Sequence, residues 1–104
     1  MEDLERIGAL LRVLAHPLRL RILDFLETQD QPQPVSKIVA ACEGTSQSIV
    51  SQQLRILRDC GMITFTKKGA RVYYSLQSPL CSLILSTLRC DPFRHTSTSS
   101  NASS

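Results

Sequence analysis

Residues 46–59 read SQSIVSQQLRILRD. Val50, Leu54 and Leu57 recur at the spacing that stacks side chains on one face of an α-helix, and with Ile49 in support they predict a buried face. Ser48, Ser51, Gln52 and Arg55 repeat at i, i+3, i+4 and i+7 on another face. The solvent side of a helix ordinarily carries many charges. This one opens with uncharged hydrogen-bonding groups and turns basic only later. Thr45 or Ser46 is suited to cap its start, and Cys60-Gly61 to stop it.

Upstream, Val35, Ile38, Val39 and Cys42 mark a short helix closed by Gly44. Two helices joined by a short glycine-containing turn are the pattern of a helix-turn-helix. Residues 29–34, QDQPQP, read as a loop because of their two prolines. Pro17 suits the first turn of an earlier helix lined by Leu18, Ile22, Phe25 and Leu26. Before it, Leu4, Ile7, Leu11 and Leu14 form a helical stripe that Leu10 and Val13 broaden beyond what so short a helix can bury alone.

Downstream, Met62–Thr66 and Arg71–Leu76 are β-rich runs joined by Lys-Lys-Gly-Ala, a hairpin with a basic tip. Ser78-Pro79 starts a last helix with Leu80, Leu83, Ile84 and Leu88 along one stripe. The expected fold is mainly α with a small β-hairpin, in the order four helices, two strands, one helix. Residues 1–93 are expected to form one domain, and 94–104, rich in Ser and Thr, a disordered tail.

The chain has 104 residues, 42% of them apolar, enough for one modest core. Its net charge of +3 is concentrated: residues 46–76 hold Arg55, Arg58, Lys67, Lys68 and Arg71 against Asp59 alone, a local +4. No apolar run approaches the roughly 18 residues of a membrane span, and the acidic start after Met1 is unlike a signal peptide, so a cytoplasmic protein without a membrane partner is expected. The cysteines at 42, 60, 81 and 90 then read as free thiols rather than disulfides. Cys81 and Cys90, nine residues apart, fall about 180° apart around one helix and cannot chelate one ion together. An enzyme is not expected: no Cys adjoins a His, and there is no Gly-rich phosphate loop or acidic pair.

In a helix-turn-helix the second helix enters the DNA major groove with its N-terminal residues on base edges. Ser and Gln donate and accept, matching the mixed pattern of the groove, where Glu would repel phosphates. Ser46, Gln47, Ser48, Ser51 and Gln52 lie at that end, while Arg55, Lys67, Lys68 and Arg71 offer cations to the backbone of double-stranded DNA. A Ser/Gln face alone is most often merely solvated, and a Lys-Lys-Gly turn merely a turn. Their occurrence in this order around a helix-turn-helix favours DNA binding over a protein-interaction module of the same fold.

The segments LRVLAHPLRLRILDFL, SQSIVSQQLRILRDCGMI and KKGARVYYSL resemble the ArsR (arsenic-repressor-like) family of winged helix-turn-helix regulators over about residues 4–90. The resemblance implies a homodimeric repressor that binds an inverted-repeat operator and leaves it when an inducer binds. It implies a dimer interface on the first and last helices, here Leu4, Ile7, Leu11, Leu80, Ile84 and Leu88, and a capping role for His16. The family's metal sites are missing: Pro34-Val35-Ser36 stands where arsenic-responsive members have Cys-Val-Cys, and PLCSLILSTLRC lacks the Asp and His of zinc sensors. Cys60 matches one of two ligands that some thiol-based metal sensors of the family place on the fourth helix, but Ile56 occupies the companion position. Any inducer is therefore expected to act through Cys60 and Cys90, with Cys81 or a tail group in support, while His95 near the tail reads as a bystander. A thiol-bound metal or metalloid ion, or reactive sulfur, fits that donor set. The alternative is a regulator without thiol or metal sensing.

Overall fold

A computed structural model describes residues 2–90; the tail reading, the boundary at 93 and His95 lie outside the described residues. The order is α1 (Glu2–Leu14), α2 (Pro17–Glu27), β1 (Gln33–Pro34), α3 (Val35–Ala41), α4 (Gln47–Asp59), β2 (Ile63–Lys68), β3 (Arg71–Leu76) and α5 (Pro79–Arg89). The sheet is antiparallel with strand order β1-β3-β2, so the hairpin gains a third strand. Residues 33–34 are thus not only loop. Gln33 and Pro34 pair with Tyr74 and Tyr73. Proline is tolerated there because an edge strand need not donate on both sides.

The core is assembled from nearly every element. Ile22 and Leu23 of α2, Ile38 of α3, Val50, Leu54 and Leu57 of α4, Ile63 of β2 and Cys81 of α5 are fully enclosed, and Cys42 joins them. Truncating one such Leu to Ala costs about 2–5 kcal/mol in well-packed cores, so this cluster dominates stability. No polar or charged residue is buried among the described residues. Leu10 and Leu14 dock α1 on this core, while Leu4, Ile7 and Leu11 face outward.

Local chemistry sets the element ends. Pro17 opens α2, but the His16 ring does not cap it: the side chain makes no capping bond, and Nδ1 is buried without a partner. The capping role implied for His16 is filled by its backbone alone. Ser46, not Thr45, caps α4 by accepting from Ile49 N at 3.4 Å. At the other end of α4, Met62 N donates to Leu57 O at 2.9 Å and Gly61 N to Arg58 O at 3.0 Å. This paired closure needs a left-handed residue, and Gly61 supplies it at φ +79°. The second hairpin strand keeps its expected bounds, Arg71–Leu76, and the first runs further toward the turn than expected. β2 starts at Ile63 and extends through Lys67 and Lys68, leaving only Gly69-Ala70 as the turn. Gly69 takes φ +65°, the conformation a tight two-residue hairpin demands of its first residue.

An ion-paired cluster locks α5 to α2. Arg89 Nη2 lies 2.7 Å from both Asp24 Oδ1 and Glu27 Oε1, and Ser82 Oγ donates to Glu27 Oε2 at 3.2 Å. The two carboxylates hold the guanidinium pKa above its ordinary value.

Candidate nucleic-acid interface

With Val50, Leu54 and Leu57 enclosed, the opposite side of α4 is fixed in space. Gln47, Ser48, Ser51, Gln52 and Arg55 are all exposed. Among the described residues, the side chains of Gln47, Ser51, Gln52 and Arg55 make no hydrogen bond or ion pair within the chain. Their donors and acceptors are free for a ligand. Ser46 is different: its Oγ is engaged as the cap and lies 3.4 Å from Ser48 Oγ.

Two adjacent glutamines have opposite fates. Gln53 is half-buried and its Oε1 accepts from Arg19 Nε at 2.8 Å, which ties α4 to α2. Gln52 remains free. Ile49, expected to support the core, is 46% exposed instead. It sits one residue before Val50, about 100° around the helix, so the same turn that buries Val50 swings Ile49 to the flank.

The hairpin carries its cations on both faces. Pairing of Phe65 with Tyr74 and Lys67 with Val72 puts these on one face, with Thr66, Tyr73, Lys68 and Arg71 on the other. Tyr74 packs on the core, whereas Tyr73 takes Lys68 Nζ over its ring at 5.9 Å. Lys68 and Arg71 are direct cross-strand partners. Like charges so placed destabilise a hairpin, a cost that an anionic ligand would relieve. Arg58 joins the wing to α4, its Cζ 5.3 Å from the Phe65 ring centre. Arg55, Arg58, Lys67, Lys68 and Arg71 are the exposed cations of this surface, Arg58 also lying 3.8 Å from Asp59 Oδ1.

The thiols divide by burial. Cys60 and Cys90 are the exposed C-caps of α4 and α5. Cys42 and Cys81 are enclosed. Burial pushes the Cys42 thiol up, with Arg21 opposing, and burial together with Glu27 pushes Cys81 up. Both are held as neutral thiols, the unreactive form. The support expected of Cys81 in sensing is thus at odds with its enclosed position. No three His, Cys, Asp or Glu among the described residues converge as a metal site.

Periodicity carried no signal for the Arg19–Gln53 bond, whose partners are 34 residues apart. The Phe65–Arg58 contact needed the turn after α4 to be placed first.

A family model described as a helix-turn-helix domain matches residues 14–64. The chain is 33% identical over 85 residues to the HTH-type transcriptional regulator YgaV of Escherichia coli, covering 82% of this chain and 84% of the relative. It is 37% identical over 75 residues to the HTH-type transcriptional repressor SmtB of Mycobacterium tuberculosis, covering 72% of this chain and 53% of that protein. Among solved structures, reduced HlyU from Vibrio cholerae is similar with a TM-score of 0.75 at 30% identity, over 84% of this chain and 88% of that one.

Proposed function

This chain belongs to the ArsR family of winged helix-turn-helix transcriptional regulators, and we propose that it is a cytoplasmic, homodimeric repressor that binds an inverted-repeat DNA operator. The observation that carries the reading is the free face of α4. Gln47, Ser51 and Gln52 present unpaired donors and acceptors at its N-terminal half, with Ser48 exposed among them, beside a hairpin with cations on both faces. The uncharged groups read base edges in the major groove, and Arg55, Lys67, Lys68 and Arg71 hold the phosphates. No helix among the described residues is long and apolar enough to cross a membrane.

Dimerisation is supported by apolar surface that the monomer leaves uncovered. Leu4, Ile7 and Leu11 of α1 and Leu80, Leu83 and Leu88 of α5 are exposed, while Ile84 is half-buried against its own core. A two-fold dimer would cover these side chains and present two copies of α4 to half-sites about 10 base pairs apart.

Release by an inducer is assigned to Cys60 and Cys90, whose exposure and capping positions support a role in moving α4 and α5. Since the described residues of one chain do not group as a metal site, an ion would need donors from a second copy or from beyond residue 90. A covalent change at the thiols needs no such grouping.

The test is selection of random double-stranded DNA by the purified protein, followed by binding titrations at several salt concentrations. Enrichment of an inverted repeat, with affinity that falls steeply as salt rises, is the expected result. Failure to enrich any sequence would overturn the operator-binding reading.

A further inference from the structure

Ile49 stands apart from the other exposed apolar side chains. Those on α1 and α5 belong to the surface assigned to the dimer, and Phe65 is covered on one side by the Arg58 guanidinium. Ile49 is 46% exposed in the first turn of α4, between Ser48 and the core residue Val50 and three residues before Gln52. It therefore lies about 60° around the helix from the free glutamine. A branched side chain on a helix is nearly confined to one χ1 rotamer, so Ile49 presents a rigid methyl surface beside those hydrogen-bonding groups.

A single exposed isoleucine is unremarkable on most surfaces. Its position decides the matter here. In the major groove, the base edges offer mainly nitrogen and oxygen donors and acceptors, and the one methyl group among them is the C5-methyl of thymine. Resting on the reading that α4 enters that groove, we propose that Ile49 is a specificity-determining residue that selects thymine by apolar contact with its methyl group. Gln52 and Ile49 then act as a pair on neighbouring positions. The glutamine amide is suited to the N6/N7 edge of adenine, and the isoleucine packs on a thymine methyl within one or two base pairs of it. The Ile49 side chain can make no hydrogen bond, so its effect rests on the methyl group alone.

Replacement of thymine by deoxyuridine deletes that methyl and leaves every hydrogen-bonding group in place. The experiment takes the DNA site selected by the protein, replaces each thymine in turn by deoxyuridine, and measures affinity for the wild type and for Ile49→Ala. Wild type should lose about fourfold in affinity at one thymine per half-site, the worth of burying one methyl group. Ile49→Ala should bind the thymine and deoxyuridine forms of that position with nearly equal affinity, while still responding to Gln52→Ala. Circular dichroism should show Ile49→Ala folded like wild type, since an exposed position leaves the core intact. Two results would overturn the proposal while leaving operator binding sound: no methyl-dependent thymine in the selected site, or the same dependence persisting in Ile49→Ala. If no site is selected at all, the operator reading falls and this inference with it.

Discussion

Arg19 Nε donates to Gln53 Oε1 at 2.8 Å, joining the first turn of α2 to the middle of α4. The bond fixes the rotation of α4 from the side opposite its free face, and it removes Gln53 from the pool of groups able to meet DNA. Arg19→Met and Gln53→Leu should each destabilise the fold modestly. A double-mutant cycle in denaturant should return a coupling of about 0.5–1.5 kcal/mol, the range for a part-exposed hydrogen bond. Zero coupling would mean that core packing alone sets the orientation of α4.

Base readers and phosphate holders should fail differently. Gln52→Ala or Ser51→Ala should weaken specific binding by about 1–3 kcal/mol and broaden sequence choice. Lys67→Ala or Lys68→Ala should weaken binding to every sequence and lower the salt slope by about one unit each. Identical behaviour of the two groups, measured by fluorescence anisotropy from low to moderate salt, would contradict the division of labour between helix and wing.

The uncovered leucines make oligomeric state a direct test. Leu11→Glu together with Leu83→Glu puts charges on two exposed positions and leaves the enclosed core untouched. Sedimentation should report a dimer for wild type and a folded monomer for the variant, with operator affinity much reduced. A wild-type monomer at micromolar concentration would rule out the dimer.

Thiol chemistry should follow burial. At pH 8 an alkylating reagent should label Cys60 and Cys90 quickly, and Cys42 and Cys81 only after denaturation, as read by mass spectrometry. The raised pKa values also fix a pH dependence. Below the ordinary thiol value of 9.0, both folded and unfolded chains hold these thiols protonated, and the stability they contribute is fully present. Above it the unfolded chain releases protons that the folded chain retains, so stability falls as pH rises through that range. Denaturant midpoints that rose between pH 8 and pH 10 would contradict the enclosed positions of Cys42 and Cys81.

Inducer release has its own test. The Cys60→Ser, Cys90→Ser double variant should bind the operator like wild type and stay bound when arsenite, cadmium or polysulfide is added. Normal release by that variant would end the role assigned to this pair of thiols.

The helices and the helix-turn-helix were legible in the order of residues because helical periodicity and capping chemistry are local. Val50, Leu54 and Leu57 could only be a buried face, and Gly61 after Cys60 could only be a stop. The free face of α4 followed, since a helix with one side buried must show the other. What periodicity could not decide was anything set by distant neighbours. Gln33-Pro34 became a strand only because β3 offered an open edge. Gln52 and Gln53 are chemically identical, and only the arrival of Arg19 from 34 residues away made one a tether and left the other free. Ile49 looked like core by composition, but it stands about 100° around the helix from Val50, so the turn that buries the valine leaves the isoleucine on the flank. Hydrophobic pattern tells a chain which side chains seek burial. Tertiary packing has room for only some of them, and those it leaves out are where a partner can bind.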